Sequence, residues 1–188
     1  MKLLFVAAAV VVLAACSQPG GPQEERLDPF FLNTHSLTGT PTAVGPRLAA
    51  GVTYVVTVEG THSSWGADEW ESGACRGVPG AEPMYPSPGT ANGPVGMDAV
   101  WLFAIPVGSS RCGNAVPYKG SSVRMSLNGG GSFVDLGTLT SGDGPTVDHK
   151  YEYTVTGQGQ NLVLNRGSGN ATNNYGRLYV EVRRAVTE

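Results

Sequence analysis

Residues 52–59 read Val-Thr-Tyr-Val-Val-Thr-Val-Glu and stop at Gly60. Successive side chains of an extended chain point to opposite faces, so Val52, Tyr54, Val56 and Val58 share one apolar face. β-Branched and aromatic residues suit such a pleated, half-buried surface. The period of two recurs along the chain. Ser122–Leu127 alternates and ends at Asn128 and three glycines. In Tyr151–Thr156, Tyr151, Tyr153 and Val155 oppose Glu152, Thr154 and Thr156. Gly-Gln-Gly-Gln then separates that run from Asn161–Leu164. In Arg177–Arg183, Leu178, Val180 and Val182 read as inward, and Arg177, Tyr179, Glu181 and Arg183 as outward. Asp98–Ile105 (DAVWLFAI) is apolar on both faces and reads as a central strand. No stretch beyond residue 16 carries the 3.6-residue period of an amphipathic helix. The pattern predicts about eight strands with turn signals between them. One-sided strands bury their apolar faces economically in two packed sheets. The expected fold is therefore all-β, an antiparallel sandwich occupying residues 27–188 as a single domain.

Composition narrows the function. The chain of 188 residues holds 27 Gly and 13 Pro, the punctuation that short strands and many turns require. The glycines follow no three-residue period, so the chain is not collagen-like, and no heptads support a coiled coil. Only 14% of residues are charged and the net charge is −3, with no basic stripe. Nucleic acid is therefore not an expected partner.

The first residues read as an address. Lys2 precedes an unbroken apolar run, Leu3–Leu13, shorter than the ~20 residues that span a bilayer. It fits the apolar region of a secretory signal peptide. Leu13-Ala14-Ala15-Cys16 resembles a bacterial lipobox. That resemblance implies removal of residues 1–15 and acylation, as by palmitate, of Cys16. Acyl chains contribute about 0.8 kcal/mol per buried CH₂, so the membrane becomes a partner through the lipid. Ser17 does not resemble an inner-membrane retention signal, and the expected location is the cell envelope, at the outer membrane. Residues 16–26 carry Pro, Gly and charge without apolar periodicity and read as the lipidated Cys with a flexible tether. Cys75 and Cys112 remain. In an oxidising compartment two thiols tend to pair, and a Cys75–Cys112 disulfide is expected.

The chemistry-bearing residues fall in loops. His35, His62 and His149 stand apart, without the spacing of a zinc or copper site. No Gly-x-Ser-x-Gly elbow and no phosphate-binding loop occurs, so the chain is read as non-catalytic. Residues 60–97 hold no strong strand and carry five prolines, and long loops in compact domains are often functional. Within them, Trp65-Gly66-Ala67-Asp68-Glu69-Trp70-Glu71 combines two Trp with three carboxylates. A Trp face stacks on the C–H face of a sugar, and carboxylates accept sugar hydroxyls or bind calcium. The same residues also read as a solvated acidic loop with one Trp on the core. Asn170-Ala171-Thr172-Asn173-Asn174-Tyr175-Gly176 offers amide oxygens to a hard cation. It equally reads as a tight turn, because Asn and Gly tolerate positive φ.

Several of these segments together resemble one lectin family. They are Ala50-Gly51-Val52-Thr53-Tyr54 with its strand, Ser64-Trp65-Gly66, Asp98–Ile105, Asn161-Leu162-Val163-Leu164-Asn165, and Asn173-Asn174-Tyr175-Gly176 leading into the last strand. In this order they resemble the calcium-dependent, galactose-binding bacterial lectins of the LecA (PA-I) type, over roughly Ala49 to Arg183. The resemblance implies a jelly-roll-like, galactose-binding-domain-like sandwich. It also implies calcium ligands at Trp65, Asn165, Asn170, Asn173 and Asn174. Sugar contacts are expected from Trp65, Asp68, Glu69, Trp70 and Asn174. The chain departs from the family where the family has an Asp, because here it reads Asn165-Arg166. A neutral ligand set weakens calcium affinity, and an Arg beside it repels the ion. The functional expectation is a non-catalytic, lectin-like carbohydrate-binding lipoprotein, with calcium as the candidate cofactor. The alternative is a structural lipoprotein that docks on another envelope protein.

Overall fold

The computed structural model describes residues 25–64, 96–103, 117–167, 171–172 and 174–186. The larger of its two sheets contains β1 (Arg26–Asn33), β3 (Thr53–Glu59), β4 (Thr61–Ser63), β5 (Met97–Asp98), β6 (Trp101–Leu102), β7 (Tyr118–Lys119), β10 (Lys150–Thr156) and β12 (Tyr175–Arg184). The smaller contains β2 (Thr42–Arg47), β8 (Val123–Ser126), β9 (Val134–Asp135) and β11 (Asn161–Arg166). One helical turn, α1 (Leu136–Leu139), links β9 to the loop before β10, and Asp135 caps it by accepting from the Gly137 N–H. All pairings are antiparallel. The protein is an all-β sandwich.

Alternation within each strand builds the core. Val56, Val58, Leu178, Val180 and Val182 from the larger sheet meet Val123, Met125, Leu162 and Leu164 from the smaller, all essentially buried. Burial of one such side chain is worth about 1.5–3 kcal/mol. The order β10-β3-β12 forms the regular part of the larger sheet, with β10 at its edge and β1 also on β12. β4 prolongs β3 past Gly60 in the same register along β12, since Tyr179 faces Glu59 and Gly176 faces His62. On the other side of that strand β10 stops at Lys150, opposite Glu59, and β5 takes over with Asp98 opposite Thr61.

Asp98–Ile105 differs from the expected central strand. Met97 pairs with Leu102 across a tight turn, so β5 and β6 are the two arms of a hairpin. The cause is Asp98. Its Oδ1 accepts from the backbone N–H of Val100 at 2.8 Å and of Trp101 at 2.7 Å, which turns the chain back. Burial follows the expectation all the same, as Met97 to Leu102 are all buried.

The register gives the sandwich two distinct ends. At one, Arg26 faces Arg183 and Arg184 faces Tyr54, so the first and last described residues lie together. At the other lie Asn33 and Arg177, Ser63 and Tyr175, and the start of β10. The ten residues of β12 run from one to the other, roughly 30 Å at ~3.3 Å per residue. Ser64, Gly96, Phe103, Gly167 and Asn174 all belong to the end away from the termini.

Candidate functional site

The end away from the termini is organised by a buried carboxylate. While Oδ1 of Asp98 shapes the β5–β6 turn, Oδ2 accepts from the Tyr151 hydroxyl at 2.7 Å and lies 3.0 Å from His149 Nδ1. Nδ1 carries the proton in that contact, because a carboxylate only accepts. β10 ends where β5 begins, and that junction brings these residues together across more than fifty positions of sequence. His149 takes a left-handed φ of 51°, a conformation that disfavours a non-glycine residue by about 1–2 kcal/mol. The bend aims its ring at Asp98 and stacks it on Phe103, with centroids 4.9 Å apart. Burial, and then the carboxylate beside it, push the Tyr151 phenol above its ordinary range.

A second polar group lies on the inner side of β4. His62 is fully buried, and its Nε2 donates to the Asp98 carbonyl at 3.1 Å. Nδ1 is then a bare acceptor. Burial first, and the nearby Arg166 guanidinium second, lower the His62 pKa to about 3, so the ring is neutral. Arg166 closes β11. Strand alternation places it inward with Leu162 and Leu164, and its Nη2 donates to Ser64 Oγ, whose hydroxyl in turn contacts Met97 Sδ. Burial holds the Arg166 pKa below its usual value. Arg166 therefore ties the small sheet to the end of the large one through polar contacts.

Asn174 introduces β12. Its Nδ2 donates to the Thr34 carbonyl at 2.9 Å and its side chain is buried. Gly176, two residues on, has φ +87°, and a Cβ there would stand 2.7 Å from the Thr61 carbonyl oxygen. A side chain at that position is excluded by both backbone conformation and space. This close approach of β12 to β4 fixes where Asn174 sits.

Among the described residues, six buried side-chain polar atoms have no hydrogen-bond partner: His62 Nδ1, Trp101 Nε1, Asn165 Oδ1, Arg166 Nε, Asn174 Oδ1 and Arg177 Nε. Buried polar groups are nearly always paired, so such a set calls for a physical cause. All six belong to the half of the sandwich away from the termini. Three are acceptors and three are donors. They do not line one cavity. Alternation turns Asn165 and Arg177 to the outer faces of their sheets, and Arg177 packs its guanidinium 4.0 Å over the Phe31 ring.

Of the residues expected to form the site, Asn165 and Asn174 are described. Trp65, Asp68, Glu69, Trp70, Asn170 and Asn173 lie outside the described residues, as do Cys16, Cys75 and Cys112. Calcium takes six to eight oxygen ligands and draws affinity from carboxylates. Asn165 and Asn174 each present a buried amide oxygen without a partner, which suits a ligand. Asn165 faces outward, however, while Arg166 places a cation on the inner side. Asp98, the fully buried carboxylate among the described residues, already accepts from four donors. No group of three His, Cys, Asp or Glu among the described residues is placed to share a metal ion. The described residues thus hold two of the five expected ligands, Asn165 and Asn174. The Asp98–His149–Tyr151 group and the contact of Arg166 with Ser64 had no signal in the sequence, because each depends on pairing between distant strands.

Compared with protein-family models, with curated proteins and with solved structures, the chain finds no match.

Proposed function

We propose that this chain is an envelope lipoprotein that binds glycans without catalysis, at the end of the sandwich away from its tether. The observation that carries the reading is the pair of buried acceptors without a partner among the described residues, Asn174 Oδ1 before β12 and His62 Nδ1 on its neighbour β4, at that end. Asn174 is also singled out by the lectin resemblance, as is Asn165, whose Oδ1 is likewise buried without a partner among the described residues. A lipid on Cys16 would hold the terminus end toward a membrane, and the opposite end would face away from it, open to a polysaccharide. Recognition would rest on side-chain amides and ring nitrogens pairing with hydroxyls. The aromatic faces of Trp65 and Trp70 would add stacking, worth roughly 0.5–1.5 kcal/mol for an aromatic contact.

A glycan array probed in calcium and again in chelator tests this reading. Binding to neutral sugars in both conditions is the expected result. Asn174→Ala should weaken it about tenfold or more, the equivalent of one lost, buried hydrogen bond at ~1.4 kcal/mol. Silence in both conditions overturns the proposal. Binding that vanishes in chelator returns calcium to the site.

A further inference from the structure

β10 forms the outer edge of the larger sheet's regular part, and its hydrogen bonding is one-sided. The Gly60 N–H donates to the His149 carbonyl, and the Gly157 N–H to Val52, so His149, Tyr151, Tyr153, Val155 and Gly157 bond toward β3. The even-numbered residues then point their backbone groups away from the sheet. Lys150 shows this directly. Its N–H donates to Thr146 Oγ1 and to Asp148 Oδ1, and its carbonyl accepts from Thr146 Oγ1. Glu152, Thr154 and Thr156 follow in the same orientation, and their outward N–H and C=O groups have no partner among the described residues. The edge is capped at Lys150 and open from Glu152 to Thr156.

A groove of about 390 Å³ runs beside this open stretch, between β10 and the β8–β9 hairpin. Its floor is apolar, with Met125, Leu127, Val134 and Leu139, and the last two are about half exposed. Asn128, Ser132 and Gln158 rim it, and Glu152 is the charged side chain that lines it. Open backbone groups beside an apolar slot are the two halves of strand addition: the ladder supplies affinity and alternate side-chain pockets supply specificity.

We infer that β10 and this groove bind an extended segment of a partner protein by adding it to the larger sheet as a further strand. The geometry dictates the segment's pattern. The residue opposite Thr154 exchanges backbone bonds with it and faces outward. The residues opposite Tyr153 and Val155 face inward and enter the groove, so the segment carries apolar side chains at alternate positions. On the outer face Glu152 already has the Arg183 guanidinium at 3.6 Å and accepts from the Thr57 hydroxyl at 3.2 Å, so it offers the segment's outward side chains a half-exposed hydrogen-bond acceptor, which Lys or Thr can use. A second copy of this chain is a poor occupant. Its own β10 has Tyr153 committed to its interior and Val155 packed on its core, so neither side chain could enter a neighbour's groove. This inference is independent of the glycan reading, which rests on residues at the other end of the sandwich.

The test uses the purified full chain and short capped peptides that alternate Val or Leu with Lys or Thr. Controls are the same composition with the apolar residues adjacent, and the same peptide N-methylated at alternate amides. Binding of the alternating peptide, with NMR shifts at the amides of Glu152, Thr154 and Thr156, is expected. Methylation on the bonding edge should weaken it at least tenfold, and methylation on the other edge should not. Thr154→Pro removes one outward N–H, which an edge strand tolerates, and should weaken binding to a similar degree. The surface variant Leu139→Lys keeps the edge and narrows the groove, and should also weaken binding. Equal binding of alternating and scrambled peptides, silence of the whole set, or shifts at these amides caused by self-association without peptide would each overturn the inference.

Discussion

At the end that carries both termini, the turn after β2 and the turn after β10 lock through backbone groups. The Leu48 N–H donates to Gln160 and the Gly159 N–H to Leu48, while the Gly51 N–H donates to Gly157 and the Gly157 N–H to Val52. At the opposite end backbone bonds such as Thr34 N–H to Gly176 are joined by buried side-chain bonds: Asp98 with His149 and Tyr151, His62 with the Asp98 carbonyl, and Arg166 with Ser64. Backbone turns satisfy themselves locally and are indifferent to most side chains. Buried side-chain polarity opposes folding unless it is paired. A sandwich with one inexpensive end and one demanding end points to the demanding one as the place where polar groups are kept for a purpose beyond the fold.

Substitution is the sharpest way to break that comparison. Asp98→Ala should destabilise by about 3–5 kcal/mol, because it strands a buried Tyr hydroxyl, a His ring and two backbone N–H groups. Gln160→Ala, at the terminus end, removes an exposed side chain whose structural bonds are backbone, and should shift stability by less than ~0.5 kcal/mol. Urea midpoints of the two variants decide the matter, and similar losses would mean that the two ends do not differ.

A pH series sharpens it further. The His62 pKa lies near 3 in the folded protein against 6.5 for an unperturbed ring. Between those values the unfolded chain binds the proton and the folded chain does not. Stability is therefore full above pH 6.5 and is lost as the pH falls toward 3, by at most about 1.4 kcal/mol per pH unit. His62→Gln should remove that component, so the difference between the two proteins in urea unfolding should shrink steadily on acidification. A constant difference across the window would show that His62 does not titrate as its burial requires.

A surface ion pair at the terminus end gives another small effect. Arg26 Nη1 and Glu181 Oε1 are 2.7 Å apart, but the Arg side chain is largely exposed. Glu181→Gln should change stability by less than ~1 kcal/mol, and by less still in high salt. Thermal melts at low and high ionic strength measure both.

Much of the fold was legible because alternation survives any topology. Val56, Val58, Leu178, Val180 and Val182 were all expected inward and are all buried. The triple-glycine stretch does join two paired strands, β8 and β9. The short elements were not legible. β4, β5, β6, β7 and β9 have two or three residues each, too few to show a period, and β1 and β2, though eight and six residues long, went unnamed because Pro29 and Pro46 interrupt them, so the expected count of about eight strands fell short of the twelve among the described residues. Four residues of α1 likewise leave no helical signature. The hairpin inside Asp98–Ile105 was hidden because its turn is made by one carboxylate within an apolar run. Of the candidate site, Asn174 was singled out from its place before the last strand, and it is buried at the demanding end. Asn165 and Arg166 were read together as one position. The pleat sends them to opposite faces, so they act on different sides of the small sheet.

The sequence by itself determined that this chain is all-β, which residues of the long regular strands face inward, and where several of the turns between them fall. Those properties are local, set by a period of two and by residues that favour turns. Tertiary structure alone decided that His149, Tyr151 and Asp98 share one buried site, and that Arg166 reaches across to Ser64. It alone decided that one edge of the larger sheet is left open beside a groove. Those depend on which strands become neighbours, and strand order is set by the packing of whole sheets rather than by any single segment.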